Sequence, residues 1–332
     1  MTTFSPTCDL AGLSASPAHM ELIREVQTGL LSRPRSLKPW MFYDELGSQL
    51  FEQITALAEY YPTRTERSLL ESHADTIVAS ACTDSRPLRL LELGAGTAAK
   101  TCLLLAAAVR QKVDVLYTPL DVSADALNIA CREIENEFPR VLIEPVVVNY
   151  VNCPPKLEEF DGPTLALYLG SSIGNFTPEE ARTILRNVGS QLQYGDALVL
   201  GTDLLKDESM LVAAYDDQDG VTAAFNLNVL HRLNRELGAN FDSTGFRHCV
   251  RWNRTESRIE MHIESLCDQN VQIPMAQLDL HFGDGETIHT ENSYKFTDSG
   301  LGALLSDSGF ETECAWKDER HWYALTLSRR DG

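Results

Sequence analysis

The chain has no uninterrupted apolar run long enough to cross a bilayer and no charged-then-apolar leader, which excludes a membrane helix and predicts a cytoplasmic protein. Positive charge is scarce: 28 Lys and Arg against 48 Asp and Glu leave a formal net charge of −20. Phosphate binding depends on clustered cations, so nucleic acid is excluded as a partner and small cationic or zwitterionic ligands are favoured. The eight cysteines form no C-x-x-C pair and the eight histidines no H-x-x-x-H pair. That pattern excludes a zinc site and a disulfide framework, and predicts reduced thiols and no metal. Internal repeats and low-complexity stretches are also missing. What remains is 332 residues of ordinary apolar fraction, enough for a large core and a second domain or a big insertion.

The chain is organised around Leu88 to Thr101. Leu88, Leu90, Leu91 and Leu93 put leucine on both sides of a strand's alternation, as expected of a strand buried on both faces. Gly94 and Gly96 then bring bare backbone to its carboxyl end, and a helix runs back from Lys100. The stretch loosely fits the dinucleotide fingerprint, and a tight turn without ligand would look similar. However, Glu92 before the turn and Lys100 after it suit a ligand with an ammonium and a carboxylate, and S-adenosylmethionine carries both.

Residues up to about 16 read as a loose arm. Leu22, Ile23, Val26 and Leu30 predict one amphipathic helix, and an aromatic stretch around Trp40 to Tyr43 and Phe51 reads as core lining or a ligand wall. Thr63 with Glu66 has the form of a capping box. Strands follow at Val115 to Asp121, Val141 to Val148, Thr164 to Gly170 and Ala197 to Leu204, with Ser123 and Thr177-Pro178-Glu179-Glu180 opening the helices between. Five such units predict a doubly wound parallel sheet. The alternation then breaks: helices at Met210 to Tyr215 and Thr222 to Leu237 precede strand-like runs at Phe246 to Trp252, Arg258 to Leu266 and Val271 to Leu280. A helix returns at Asp298 to Leu305, before a closing hairpin of Glu311 to Trp316 and Trp322 to Leu327.

Asp121, at the tip of the strand after the glycine strand, can accept both hydroxyls of a ribose or merely cap a helix; Asn149 and Tyr150, one strand on, are placed to touch an adenine. Gly170-Ser171-Ser172-Ile173-Gly174 matches the hydrolase nucleophile elbow, which would make Ser172 a nucleophile. In an elbow the helix starts right after the serine, whereas here Thr177-Pro178 starts it five residues later, and the same loop delivers Asn175 to the sheet's edge. In an extended segment Glu291, Ser293 and Lys295 share one face, so Glu291 and Ser293 can reach one ring together. Ile259, Met261 and Ile263 make an apolar strand face; Met261 could equally be plain core, and Glu291 alone could be a solvated strand end.

Phe42-Tyr43-Asp44, the run from Glu59 to Glu66, Glu92-Leu93-Gly94-Ala95-Gly96-Thr97, the run from Leu169 to Asn175, Gly201-Thr202-Asp203-Leu204, Ala214-Tyr215-Asp216-Asp217 and Thr290-Glu291-Asn292-Ser293 resemble the histidine-specific, S-adenosylmethionine-dependent methyltransferases. Those enzymes trimethylate the α-amine of histidine to hercynine, the first step of ergothioneine synthesis. The resemblance runs from about residue 20 to the end. It implies an α/β fold: a Rossmann-like sheet binding S-adenosylmethionine (residues 64–205 and 295–332) with a second, substrate-binding lid domain (residues 1–63 and 206–294).

By the same resemblance Gly94, Gly96, Lys100, Asp121, Asn149 and Tyr150 would hold the cofactor. Tyr60, Asn175 and Tyr215 would hold the amino acid's amine and carboxylate, with Tyr43 near the amine as a further positioner. Glu291 and Ser293 would grip the imidazole, and Met261 and Asn292 would complete the substrate set. The chain departs from the family at Asn149, where Asp is usual, and at Ala95 and Ala98, where serines are common. The implied partners are L-histidine and its mono- and dimethyl intermediates, with the chain acting as a monomer and S-adenosylhomocysteine as by-product. Rival readings are a methyltransferase of tryptophan or another aromatic amino acid in the same fold, and a serine hydrolase through Ser172.

Overall fold

The computed structural model describes residues 17–331 except Thr83, Thr97, Ser123, Asn152 and Cys153. The expected loose arm, the expected Ser123 cap and Thr97 of the glycine turn lie outside the described residues. Helix α1 (Pro17–Leu31) buries Leu22, Val26 and Leu30 at helical spacing. Strand β1 (Arg35–Ser36), α2 (Glu45–Ala56) and α3 (Tyr61–Ala81) follow. The alternating part then runs β2 (Leu88–Leu93), α4 (Thr101–Arg110), β3 (Val115–Asp121), α5 (Ala124–Glu137), β4 (Leu142–Ile143), β5 (Val146–Val147), β6 (Thr164–Tyr168), α6 (Pro178–Gly189) and β7 (Ala197–Asp203). Next come α7 (Glu208–Ala213), α8 (Val221–Leu237), β8 (Phe246–Asn253), β9 (Arg258–Ser265), β10 (Gln269–Ile273), β11 (Leu278–Phe282) and β12 (Thr287–Tyr294). The chain closes with α9 (Asp298–Asp307), β13 (Phe310–Lys317) and β14 (Tyr323–Arg330).

The large sheet has the order β13-β14-β7-β6-β2-β3-β4, with β5 also on β3. Strands β7, β6, β2, β3, β4 and β5 are parallel, while β14 and β13 add an antiparallel hairpin at one edge, so the sheet is mixed rather than wholly parallel. β2 lies mid-sheet and is buried throughout, as its leucines predict. Leu88 and Leu90 pack on one face with residues of α3, α4 and α5, and Leu91 and Leu93 on the other with residues of α6 and α9. Each fully buried leucine contributes about 1.5–3 kcal/mol. Strand order reverses between β6 and β2, so the carboxyl ends of β2, β3 and β6 meet at the switch point where α/β sheets take ligands.

Three expectations need correction. Thr63 and Glu66 do not form a capping box: the helix starts earlier, at Tyr61 with Pro62 in its first turn, Tyr60 is its N-cap, and the Glu66 side chain turns into the core. The strand expected over Val141 to Val148 splits into β4 and β5 at Pro145, which has no N–H to give to a ladder. Likewise the run Val271 to Leu280 is broken by Pro274 and becomes the antiparallel hairpin β10–β11, with Gln277 left-handed at φ 53°. The Thr177 capping box is present, its hydroxyl accepting from the Glu180 N–H.

The chain packs as two compact units. One holds residues up to Phe51, Val221–Cys249 and Met261–Glu291; the other holds Glu52–Gly220, Val250–Glu260 and the chain from Asn292. A smaller sheet has the order β1-β12-β9-β8. Inside the first unit Phe42 packs on Phe225 with ring centroids 4.7 Å apart. Asp44 accepts from Gly47 N–H at 2.7 Å, Asn228 at 2.8 Å and Arg235 at 2.6 Å. Burial alone would raise the Asp44 pKa, but these bonds outweigh it and hold the carboxyl below its ordinary value. Among the described residues no helix is long and apolar enough to cross a membrane.

Candidate active site

The glycine turn after β2 is left-handed at Gly94 (φ 64°) and Gly96 (φ 51°), a conformation that side chains resist. Among the described residues a Cβ on Gly96 would meet nothing within 4 Å, so the turn borders open space, whereas one on Gly94 would come within 3.0 Å of the Tyr150 hydroxyl. At the tip of β3, Asp121 accepts from the Gly96 N–H at 3.4 Å. Tyr150 meets Tyr168 edge-on, with ring centroids 6.1 Å apart. Burial, then the Asp121 charge, push the Tyr150 phenol up, so it stays protonated. The Asn149 side-chain oxygen accepts from the Val151 N–H at 3.3 Å, shaping the turn that presents Tyr150. Gly94, Gly96, Asp121 and Tyr150 thus gather at the strand tips. Among the described residues no group of three or more His, Cys, Asp or Glu could hold a metal ion.

Lys100 has a partner the sequence did not suggest. Its ammonium is paired with the Glu66 carboxylate, which is fully buried. Glu66 also accepts from the Gly170 N–H at 2.8 and 2.9 Å and from the Tyr323 hydroxyl at 2.7 Å. Gly201 makes room for it, since a Cβ there would lie 2.0 Å from a Glu66 oxygen. Glu66 therefore fixes both Lys100 and the loop that begins at Gly170.

Glu92 does not face a ligand ammonium as the sequence suggested. Its oxygens accept from Thr101 Oγ1 at 2.6 Å and from the Tyr117 hydroxyl, beneath the turn. Burial pushes its pKa from 4.5 up to about 7, with the two hydroxyl bonds opposing. Between pH 4.5 and about 7 the folded chain holds a proton that the unfolded chain releases. The contribution is thus fully present below pH 4.5 and is lost as pH rises through about 7. Glu92→Gln, which stays neutral, is expected to gain stability relative to the parent across that window, by about 3 kcal/mol at most. Urea unfolding at pH 5 and pH 8 checks this; an equal difference at both pH values would refute it.

A second buried cluster lies at the end of β7. Asp203 accepts from the Tyr61 hydroxyl at 2.9 Å and pairs with both Lys206 and Lys295, the latter at 2.8 Å. Burial pulls the Lys206 ammonium down to about 8, against the pull of Asp203. Lys295 Nζ continues to Ser293 Oγ at 2.8 Å and Tyr215 Oη at 3.0 Å, and those two oxygens are 2.7 Å apart. The Tyr60 ring stands edge-on to Tyr215, with centroids 6.2 Å apart. Ser171, left-handed at φ 57°, accepts from the Asp203 N–H at 2.8 Å through its hydroxyl and starts the turn Ser172–Asn175. A Cβ on Gly174 would sit 2.8 Å from the Tyr294 carbonyl oxygen, so the loop carrying Asn175 lies against the strand carrying Ser293. Ser172 donates to the Leu169 carbonyl at 3.1 Å and α6 begins only at Pro178, an arrangement unlike a nucleophile elbow.

The other expected residues are placed as follows. Glu291, Ser293 and Lys295 are all buried along one face of the β12 segment, while Asn292 points to the opposite face and is half-buried. In the first unit, Met261 and Glu291 sit on the neighbouring strands β9 and β12, tied by Thr290 Oγ1 donating to the Met261 carbonyl at 3.0 Å. Tyr43 packs edge-on between Phe51 and Phe225, with centroids 5.7 Å from each. Glu66, Tyr61, Asp203, Lys206 and Lys295 were given no site role from the sequence. Tyr61, Glu66 and Asp203 lie in the motif runs of the resemblance, and Lys295 had a local signal in the face it shares with Glu291 and Ser293.

A family model described as "Histidine-specific methyltransferase, SAM-dependent" matches residues 22–330. The chain is 42% identical over 318 residues to the histidine N-alpha-methyltransferase of Mycolicibacterium smegmatis, covering 96% of this chain and 98% of that protein. It is 41% identical to the histidine N-alpha-methyltransferase of Mycobacterium tuberculosis, with the same coverage. The ergothioneine biosynthesis protein 1 of Schizosaccharomyces pombe is 28% identical over 82% of this chain and 36% of its own length.

Proposed function

Because the chain belongs to the histidine-specific, SAM-dependent methyltransferases, we propose that it transfers three methyl groups from S-adenosylmethionine to the α-amine of L-histidine, giving hercynine in ergothioneine biosynthesis. The observation that carries this reading is the near-full-length similarity to two histidine N-alpha-methyltransferases. Residues 64–205 and 295–332 would bind the methyl donor, and residues 1–63 and 206–294 the amino acid. The first two transfers each give an amine once a proton is lost, so the mono- and dimethyl intermediates would be substrates in turn, and the third gives the quaternary ammonium. Every side chain invoked lies on one chain, so a monomer suffices.

The residues present fit S-adenosylmethionine. The open space beside Gly96 admits a ligand to bare backbone, and Asp121 at the next strand tip offers a carboxylate to a ribose. Gly94, Gly96, Lys100, Asp121, Asn149 and Tyr150 would hold it, Lys100 with its ammonium toward the carboxylate end. When bound, S-adenosylmethionine supplies a methyl group already activated by sulfonium.

The chain therefore has little proton chemistry to do. The α-amine need only be neutral; an α-amine in a peptide has a pKa of about 8, so losing its proton near neutral pH is cheap. Tyr60, Asn175 and Tyr215 would orient the amine and carboxylate, with Tyr43 close to the amine, so that catalysis is chiefly alignment. Aromatic faces tolerate the growing quaternary ammonium through cation–π attraction of about 0.5–2 kcal/mol each. Glu291 and Ser293 would hold the imidazole, and Met261 with Asn292 would bound the side chain.

Mass spectrometry of the purified protein with S-adenosylmethionine and, separately, each common amino acid tests the reading. Three methyl groups are expected on histidine alone. Three on tryptophan instead would transfer the activity to the rival substrate, and none on any amino acid would refute methylation of amino acids.

A further inference from the structure

Lys295 follows β12 directly and its side chain is fully buried, with 0% exposure. An ammonium has three N–H donors, and here each has an acceptor: Asp203 at 2.8 Å, Ser293 Oγ at 2.8 Å and Tyr215 Oη at 3.0 Å. Its backbone is held too, since the Lys295 N–H donates to the Ser257 carbonyl at 2.8 Å. The two hydroxyl oxygens are 2.7 Å apart, so one donates to the other. Whichever does so, its partner accepts two hydrogen bonds, one from that hydroxyl and one from Lys295, and must give its own proton to a third acceptor. The ammonium thus biases the pair toward donation and places positive charge behind it.

We propose that Lys295 is a positioning and specificity-determining residue, which sets the hydrogen-bonded pair of Tyr215 and Ser293 hydroxyls to give its one remaining proton to the amino-acid substrate. A histidine offers a matching acceptor in a carboxylate oxygen or in its unprotonated ring nitrogen. The inference rests on the reading that Tyr215 and Ser293 hold histidine. Asp203 anchors the ammonium, and it keeps Lys206 and Tyr61 as partners when Lys295 is replaced.

Lys295→Met removes the charge at similar length. The expected result is a histidine KM raised by about 10–100-fold with kcat within about threefold, the size of a lost charge-assisted hydrogen bond to substrate. Affinity for S-adenosylhomocysteine, measured by calorimetry, is expected to stay within about twofold, because the glycine turn is untouched. Lys295→Gln keeps amide donors without the charge and is expected to recover part of the lost KM. An unchanged histidine KM in Lys295→Met, a parallel loss of S-adenosylhomocysteine affinity, or a Gln variant no better than Met overturns the proposal. If the Met variant does not fold, the Gln variant decides: a raised histidine KM with retained S-adenosylhomocysteine affinity supports it, and a parental KM or failure to fold overturns it. Parental turnover of histidine is measured alongside. Its absence overturns the underlying reading as well, whereas parental turnover with an unaffected variant overturns only the role of Lys295.

Discussion

Glu291→Ala combined with Met261→Val is expected to weaken histidine use and to admit larger aromatic amino acids, lowering the turnover ratio of histidine to tryptophan; the discrimination that Glu291 would supply against phenylalanine or leucine is up to about 10^4. Both side chains are buried, on adjacent strands of the smaller sheet. A buried carboxylate is penalised when its partner is missing, so in the proposed role Glu291 would favour a ligand that donates from an imidazole N–H over one that presents only hydrocarbon. A purely apolar pocket could not discriminate so strongly: one methylene more or less is worth about 1–3 kcal/mol. Removing the carboxylate takes away the penalty, and shortening Met261 to valine makes the room an indole needs. Turnover of each amino acid by the parent and the double variant is the measurement, and an unchanged ratio would remove Glu291 from the specificity reading.

Glu66→Ala is expected to cost about 3–5 kcal/mol of stability and to weaken binding of S-adenosylmethionine. Truncation takes the buried counter-charge from Lys100 and the acceptor from Tyr323 and from the Gly170 N–H in one step. Lys100 would no longer be held beside the glycine turn, and the loop that leads to Asn175 would lose its tie at Gly170. Glu66→Gln keeps an acceptor for Tyr323 and is expected to lose less stability than alanine, while still leaving the Lys100 charge uncompensated. Denaturant unfolding with and without S-adenosylhomocysteine separates the two effects. Stability within about 1 kcal/mol of the parent would mean that the buried pair is not needed for the fold.

Several parts of the site are legible in the sequence because each depends on residues close together in the chain. The leucine strand, the two glycines and Asp121 follow from the alternation of strand and helix and from where a strand ends. Thr177-Pro178-Glu179-Glu180 announced its helix because a capping box is complete within four residues. Local form was misleading where a distant partner was stronger. Thr63 and Glu66 have the spacing of a capping box, yet the Glu66 carboxylate is claimed by Lys100, Gly170 and Tyr323, the last of them 257 residues away in the chain. Glu92 looked like a ligand carboxylate but is consumed by Thr101 and Tyr117 on the helix side of β2.

The sequence by itself determined the α/β sheet, the position of the glycine turn at its centre, and the resemblance that names the chemistry, because periodicity, turn residues and short motifs are properties of neighbouring residues. Only the tertiary structure decided which charges meet. Asp203 gathers Lys206, Lys295 and Tyr61, and Lys295 reaches Tyr215 from 80 residues away, a pairing with no local signature. Burial makes such groups find partners, since an unpaired charge in the interior is too costly to keep, but which partner each finds is set by how β7, β12 and α3 pack.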